Sequence, residues 1–302
     1  MSPPRGVKTD YPLERLTTVR TGGPGDYFAR PGNMDALLEL LRWADADGIE
    51  VGVVGSGSNL LISDLGFRGL VLKLDEDLAT IEQQGQRLVC GGGARLPQAA
   101  AQSARAGLSG LEFGVNIPGT VGGAVKMNAN AYGGDLSNVL EWVLVATPDG
   151  AERREPSDLG FQYRKSNLKP REVVARASFA LEPADPSEVK ATLAGMRAQR
   201  REAQPSGIKT FGSTFKNPDD PRAGGRSAGV LLDDAGCRGL QVGGARFSEK
   251  HANFVENMGE ATTADVVALM AEGRRRVREQ FGVSLEPEVQ VLGDVDTSRL
   301  WE

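Results

Sequence analysis

The clustering of glycine restricts the possible folds of this chain more than any other feature of its sequence. The chain has 39 glycines among 302 residues, and many of them lie in residues 107–134, which show little helical or strand periodicity. Glycine has no Cβ, so the backbone can turn tightly or approach a ligand closely. The segment is too apolar for a linker and too rich in glycine for a regular helix or strand. Long irregular segments in compact domains are usually functional, so we expect a binding surface here.

The composition excludes several classes of function. The net charge of −5 gives no basic surface for nucleic acid. Two cysteines and one histidine are too few for a disulfide framework, a zinc site or a multi-histidine metal centre. The chemistry must therefore depend on a cofactor or on Arg, Lys, Ser, Asp and Glu side chains.

The length and hydropathy of the chain set its expected organisation and location. A chain of 302 residues is long enough for two or three domains. No apolar run approaches the ~20 residues of a membrane span. Residues 1–10 lack the apolar stretch of a signal peptide. We therefore expect a cytoplasmic protein.

Hydrophobic periodicity and capping residues predict helices and strands that follow one another along the chain. The predicted helices are residues 34–47, 96–106, 185 to about 204, and 262–281. The predicted strands are residues 51–54, 70–74, 87–90, 141–146, 173–181, 252–256 and 286–292. This order is typical of the α/β or α+β class.

A first candidate binding loop follows the strand at residues 51–54. It consists of Gly55, Ser56, Gly57, Ser58, Asn59 and Leu60. Backbone N–H groups in such a loop can converge on an anion, with Ser and Asn as further donors. Leu60 stands where a dinucleotide fingerprint needs its third glycine, and no long helix is predicted next, so we reject a Rossmann fold. The simpler alternative for this loop is a plain tight turn.

A second candidate surface lies in residues 114–124 and 127–134. Its central part is Ile117, Pro118, Gly119, Thr120, Val121, Gly122, Gly123 and Ala124. Four glycines around one proline in residues 114–124 make a rigid wall with few side chains. Such a wall can lie flat against a planar ligand or a diphosphate. The alternative is an ordinary irregular loop.

Three further segments contain side chains suited to catalysis. Arg164 can bind a carboxylate in a bidentate pair or stabilise an oxyanion. Ser213 lies between a glycine and Thr214 and is a candidate proton donor that needs nearby charge to assist it. Glu288 has apolar neighbours, so desolvation would raise the pKa of its carboxyl and suit it to acid–base work. Taken singly, these residues are more typical of a surface turn or a strand end.

Taken together and in this order, the motifs resemble the UDP-N-acetylenolpyruvoylglucosamine reductase family, from about residue 17 to residue 293. The matching segments are residues 21–23, 55–61, 117–124, 163–166, 212–218, 250–254 and 286–289. The resemblance implies an α+β protein with the FAD-binding fold of vanillyl-alcohol oxidase. Residues 1–70 and 71–200 would form two α/β FAD-binding subdomains. Residues 201–302 would form a smaller substrate domain, whose last strand could return to the FAD domain.

The resemblance also implies roles for individual residues. The loop from Gly55 to Leu60 would hold the FAD diphosphate, and residues 117–124 would line the flavin. Arg164, Ser213 and Glu288 match the catalytic residues of the family. Tyr163, Lys216 and Asn217 would contact the substrate. The short stretch between Phe179 and Pro186 is similar to the form of the family that lacks an extra substrate-capping loop.

The chain departs from the family at three positions. Asn116 and Asn130 stand where the family commonly has small residues, and Val230 stands where many relatives carry a basic residue. The cation that would bind the substrate diphosphate is therefore open among Lys209, Lys216, Arg222 and Arg226.

The activity implied by the resemblance is reduction of UDP-N-acetylglucosamine enolpyruvate to UDP-N-acetylmuramate in peptidoglycan synthesis, with FAD as cofactor and NADPH as hydride donor. Arg164 would stabilise negative charge at the substrate carboxylate, and Ser213 would donate a proton to the substrate carbon. Glu288 would orient the reacting groups or relay the proton. The first alternative is a flavin oxidase of the same fold. His251 is the only histidine and lies in the expected substrate domain, which disfavours a histidyl–flavin tether. The second alternative is a nucleotide-sugar sensor without catalysis.

Overall fold

A computed structural model describes residues 2–300 of the chain. Its six α-helices are α1 (Met34–Ala46), α2 (Leu96–Arg105), α3 (Val121–Lys126), α4 (Pro186–Ala203), α5 (Ala228–Asp234) and α6 (Thr263–Phe281). The mixture of these helices with short strands confirms the α+β class. Among the described residues, no helix combines the length and apolar character needed to cross a bilayer.

The strands are short and numerous. They are β1 (Lys8–Pro12), β2 (Pro24–Ala29), β3 (Glu50–Val53), β4 (Leu60–Ile62), β5 (Phe67–Leu72), β6 (Ile81–Gln84), β7 (Arg87–Gly91), β8 (Leu108–Ser109), β9 (Asn130–Ala131), β10 (Gly134–Asp135), β11 (Leu140–Thr147), β12 (Gly150–Arg154), β13 (Val173–Ala180), β14 (Glu182–Pro183), β15 (Gln241–Val242), β16 (Ala245–Phe247), β17 (Val255–Asn257) and β18 (Gln290–Leu292).

The chain divides into two compact units, each built from separate stretches of sequence. Unit 1 comprises residues 1–10, 26–56 and 68–200, and unit 2 comprises residues 11–25, 57–67 and 201–302. The expected division into residues 1–70, 71–200 and 201–302 stays a prediction.

Unit 1 contains two larger sheets and the two-stranded sheets β9-β10 and β8-β14. Strands β1-β2-β5-β3 form the first, with β3 parallel to β5, and β12-β11-β13-β7-β6 form an antiparallel second sheet. Helix α1 buries Leu37, Leu41 and Ala44, which recur at helical spacing. Its first turn is capped by Asn33, whose side chain accepts from the Ala36 N–H at 2.9 Å.

Unit 2 is built around α6. This helix begins with a capping box between Thr262 and Asp265 and ends at Gly282, which adopts φ +70°. Its buried side packs in a core that also contains residues of α5 and of the sheet β15-β16-β17. Strand β18 runs parallel to β4, with Val291 opposite Leu61.

The glycine-rich segment 107–134 is more regular than we predicted from its composition. It contains the six-residue helix α3 and a 3₁₀ turn at Glu112–Asn116. Burial of Val121, Ala124 and Val125 in the core of unit 1 compensates for the poor helix propensity of glycine. The short helix α5 was also not predicted, because seven residues carry too little periodicity.

The candidate active site

A cavity of about 510 Å³ lies within unit 1 at the carboxyl end of β3. Its wall includes Gly55 and Ser56, which follow β3, and Thr120, Gly122 and Gly123 at the start of α3. Two segments that the sequence proposed separately as binding surfaces therefore meet at one cavity. Backbone hydrogen bonds hold both segments in place. The Gly122 N–H donates to the Gly92 carbonyl oxygen, and the Val54 N–H donates to the Leu72 carbonyl oxygen, both at 2.8 Å.

The cavity wall has no room for side chains at several glycines. A Cβ on Gly55 would lie 2.3 Å from Thr120 Oγ1, and a Cβ on Gly92 would lie 1.8 Å from the carbonyl oxygen of Val174. The second clash is with sheet backbone, which cannot move without breaking β13. The wall is therefore formed by backbone, as a surface for close approach of a ligand requires.

Ser56 leaves a buried polar atom in this wall. Its hydroxyl oxygen is buried and has no hydrogen-bond partner among residues 2–300. Buried polar groups in native proteins almost always have a partner. A ligand with hydrogen-bonding oxygens would supply one here, so the wall fits a nucleotide cofactor.

Basic side chains surround the same cavity. Lys73 donates from Nζ to the Gly55 carbonyl oxygen at 2.5 Å. Burial, reinforced by the guanidinium groups of Arg30 and Arg95, lowers the pKa of the Lys73 ammonium. All three cations line the cavity, together with Asp75. This positive charge suits a diphosphate. The sequence alone did not predict that these three residues lie together, because they belong to separate segments.

The rest of the first loop lies in unit 2. Gly57 adopts φ +65°, and a Cβ there would lie 1.9 Å from the Leu16 carbonyl oxygen. The Asn59 side chain donates to the Glu288 carbonyl oxygen at 3.2 Å. Ser58 is half-buried and Leu60 begins β4. A strand rather than a long helix follows the loop, which agrees with the prediction that this is not a Rossmann fold.

The residues of the second candidate surface, 117–124, differ in burial and in their partners. The side chain of Thr120 caps α3 and accepts from the Gly123 N–H at 3.4 Å. Ala124 is buried in the core of unit 1, and Ile117 packs partly against that core. Pro118 is exposed and Gly119 is half-buried. Contact of these residues with a cofactor stays a prediction.

Arg164 lies on a tight hairpin in unit 1. Gln162 and Lys165 exchange both backbone hydrogen bonds, at 2.9 and 3.1 Å, so Tyr163 and Arg164 form the turn. Arg164 adopts φ +57°, which is uncommon for a residue with a side chain. Its guanidinium carbon lies 5.0 Å from the centre of the Tyr163 ring, and Tyr163 is exposed.

Ser213 and Glu288 lie on neighbouring backbone segments of unit 2. The Glu288 N–H donates to the Thr214 carbonyl oxygen at 2.8 Å, and Phe215 pairs with Pro287. Both Ser213 and Glu288 are half-buried. The structure thus brings together two residues that are 75 positions apart in the sequence. Arg164 belongs to unit 1, and its meeting with this pair stays a prediction.

The predicted substrate residues of unit 2 have partners within the unit. Lys216 forms an ion pair with Glu286 at 3.2 Å. Asn217 is exposed, and its Oδ1 accepts from the Ala228 N–H at 3.1 Å at the start of α5. Contact of Lys216 and Asn217 with substrate stays a prediction.

Asn253 holds the segment that carries Ser213. Its Oδ1 accepts from the Phe215 N–H and its Nδ2 donates to the Phe215 carbonyl oxygen, both at 2.9 Å. Its own carbonyl oxygen accepts from the Thr214 N–H at 2.8 Å. Asn253 lies in residues 250–254, one of the segments that match the family, and the sequence alone predicted no role for it. Its burial, with 4% of its surface exposed, shows a structural function.

We predict that Asn253→Ala lowers the free energy of unfolding by about 1–3 kcal/mol, because two buried backbone groups of Phe215 lose their partners. Urea unfolding would measure the change. Replacing the exposed Asn138 by alanine is the matched control and should cause less than about 0.5 kcal/mol. Equal stability of Asn253→Ala and the wild type would contradict the assigned role.

Comparison with known proteins identifies the class of this chain. A family model described as "FAD binding domain" matches residues 25–154. A second model, "UDP-N-acetylenolpyruvoylglucosamine reductase, C-terminal domain", matches residues 204–292. With the glycine-walled cavity, these matches define an FAD-dependent oxidoreductase.

The similarity to individual proteins extends over nearly the whole chain. UDP-N-acetylenolpyruvoylglucosamine reductase 2 of Symbiobacterium thermophilum is 44% identical, over 96% of this chain and 93% of that protein. The reductase of Agathobacter rectalis is also 44% identical, over 97% of this chain and 96% of its own length. The crystal structure of the reductase from Thermus caldophilus has a TM-score of 0.80 at 37% identity, covering 93% of this chain and 97% of that one. The chain belongs to the UDP-N-acetylenolpyruvoylglucosamine reductase family, which confirms the resemblance found in the sequence.

Proposed function

We propose that this protein reduces UDP-N-acetylglucosamine enolpyruvate to UDP-N-acetylmuramate, with FAD as cofactor and NADPH as hydride donor. The reaction would supply a cytoplasmic precursor of peptidoglycan. The observation that carries the proposal is the full-length similarity to reductases of that name, at 44% identity. The comparisons do not favour the alternative of a flavin oxidase.

The cavity of unit 1 supports the cofactor in this proposal. Backbone at Gly55, Gly122 and Gly123, the buried hydroxyl of Ser56 and the ammonium of Lys73 are the groups that would hold FAD. Bound FAD supplies hydride transfer, which no side chain of the chain can provide. The protein contributes binding, orientation and electrostatic stabilisation.

The proposed catalytic residues act on the sugar. Reduction of the enolpyruvyl double bond places negative charge on the substrate carboxylate, and the guanidinium of Arg164 would stabilise it. The hydroxyl of Ser213 would donate the proton to carbon, and Glu288 would orient the reacting groups. Tyr163, Lys216 and Asn217 would bind the nucleotide sugar.

We expect Lys73→Met to weaken FAD binding about 10-fold or more, because a charge-assisted hydrogen bond contributes about 1.5–3 kcal/mol. Loss of its bond to Gly55 should also loosen the loop. Titration of apoprotein with FAD, followed by flavin fluorescence, measures the affinity. Lys190→Met, at an exposed position of α4, is the control. Equal affinity in the two variants would place the diphosphate elsewhere.

A visible absorption spectrum of the purified protein tests the function as a whole. We expect a flavin spectrum that is bleached by NADPH under argon and restored by the enolpyruvyl sugar. Rapid reoxidation by air without the sugar would instead favour the oxidase. A colourless protein that still binds the UDP-sugar would favour the sensor. Replacing NADPH by NADH in the same assay determines the preferred donor.

A further inference from the structure

Seven consecutive residues, 168–174, form one continuous part of the wall of the cavity in unit 1. They lead from the hairpin that carries Arg164 to β13. Residues 168–172, which lie outside the helices and strands, are called the strap below. Because no helix or sheet fixes the strap, its position depends on the contacts that individual residues make.

The strap turns sharply at Pro170 and Arg171. The Glu172 N–H donates to the Lys169 carbonyl oxygen at 3.2 Å, and the Lys169 N–H donates to Glu172 Oε2 at 2.7 Å. Arg171 adopts φ +69°. Proline followed by a residue at positive φ is the pattern of a type II turn, in which glycine or asparagine is usual at the second place. The local preference of an arginine does not favour this turn, so contacts outside the turn must hold it.

The guanidinium of Arg171 is bound at the end of α1. Its Nη1 donates to Asp45 Oδ1 at 2.6 Å, and its Nη2 donates to the Ile49 carbonyl oxygen at 3.0 Å. The Ile49 N–H donates to the Ala44 carbonyl oxygen at 2.7 Å, so this acceptor is itself fixed. An ion pair with the exposed Asp45 would stabilise little by itself. The planar guanidinium joins two acceptors at once, and the C-terminal end of a helix favours a cation.

The start of the strap is held by a second cation. Lys126, the last residue of α3, donates from Nζ to the Leu168 carbonyl oxygen and also lines the cavity. The strap is therefore fixed to α3 at one point and to α1 at another. Asp45 and Ile49 both belong to the described part of the chain and are not part of the cavity wall. The contacts of Arg171 with these two residues therefore act on the strap from behind the wall.

We propose that Arg171 is a positioning residue for the cofactor: by anchoring the strap to α1, it keeps this wall of the cavity in the shape that retains FAD. A wall that is ordered before FAD binds adds no ordering cost on binding. Differences in affinity between variants of one site lie mostly in the dissociation rate. The inference rests on the proposed place of FAD in this cavity and does not depend on the sugar that the protein reduces.

The test measures the exchange of FAD with the full-length protein. Recovery of flavin fluorescence after dilution of the holoprotein gives the dissociation rate, and mixing of apoprotein with FAD gives the association rate. We expect Arg171→Ala to raise the dissociation rate about 10-fold, through loss of hydrogen bonds from a charged group. The association rate should change less than about 3-fold. Arg171→Gly loses the anchor but favours the turn, so its dissociation rate should lie between those of the wild type and Arg171→Ala.

The variant Asp45→Ala separates anchoring of the strap from a direct effect of charge on FAD. If Arg171 positions the strap, loss of one of its two acceptors should raise the dissociation rate about 3-fold. If Arg171 attracted the phosphates of FAD through its charge, removal of the neighbouring carboxylate would leave that charge less compensated and slow the release. Glu39→Ala, at another exposed acidic position of α1, is the matched control and should release FAD at the wild-type rate.

Hydrogen exchange shows whether the strap itself loosens. The amides of residues 168–172 should exchange faster in Arg171→Ala apoprotein than in the wild type, with no change in α1, and bound FAD should slow their exchange. Wild-type FAD release in either Arg171 variant, unchanged or slower release in Asp45→Ala, or faster exchange throughout unit 1 would each overturn the inference alone. A wild-type protein that binds no FAD would overturn the proposed function, and the inference with it.

Discussion

Replacing Ser213 by alanine is expected to slow reduction of the enolpyruvyl sugar by about 10²- to 10⁴-fold, the range usual for loss of a general acid. The variant should still bind FAD and be reduced by NADPH at the wild-type rate. The substitution removes one oxygen atom. The backbone next to Ser213 keeps its hydrogen bonds, because the Asn253 side chain binds Phe215 and the Glu288 N–H binds the Thr214 carbonyl oxygen. The loss is therefore chemical rather than structural.

Stopped-flow reoxidation of the prereduced variant by the sugar measures this effect. Ser213→Cys should recover part of the rate, since a thiol is also a proton donor. Ser284→Ala, at an exposed position four residues before Glu288, is the matched control and should behave as wild type. An unchanged sugar step in Ser213→Ala would rule out the hydroxyl as proton donor.

Replacing Arg164 by alanine should raise the barrier of the sugar step by about 3–4 kcal/mol, or a rate loss of roughly 10²- to 10³-fold. The guanidinium is oriented before substrate binds, by Asn130 and by the tight turn of its own hairpin. In its proposed role it would therefore stabilise the developing charge without the reorganisation that water would need. Arg164→Lys keeps the charge and loses the planar fork, so its rate should be intermediate.

The ratio kcat/KM for the sugar, together with the separate rate of reduction by NADPH, measures the Arg164 effect. Arg105→Ala, which removes an exposed arginine from the last turn of α2, is the control. If Arg164→Ala slowed both steps equally, the cause would be a damaged fold rather than lost stabilisation of charge.

Local sequence patterns were sufficient to predict the larger helices. Helices α1 and α6 were expected at residues 34–47 and 262–281. The observed helices, Met34–Ala46 and Thr263–Phe281, differ from these bounds by at most one residue at each end. Their apolar stripes and their caps are interactions over three or four residues, which a single sequence displays directly. The short helices α3 and α5 were missed because their stability depends on burial against distant segments.

The sequence by itself determined the chemical groups of the candidate site and, through a specific ordered set of motifs, the family. Only the tertiary structure decided how these groups are supported. The contact of Asn130 with Arg164 joins residues 34 positions apart, and the bond from Lys73 to Gly55 joins residues 18 apart. The pairing of the Ser213 and Glu288 segments joins residues over 70 apart. Such contacts follow from how strands pair and pack, and no local periodicity encodes that pairing.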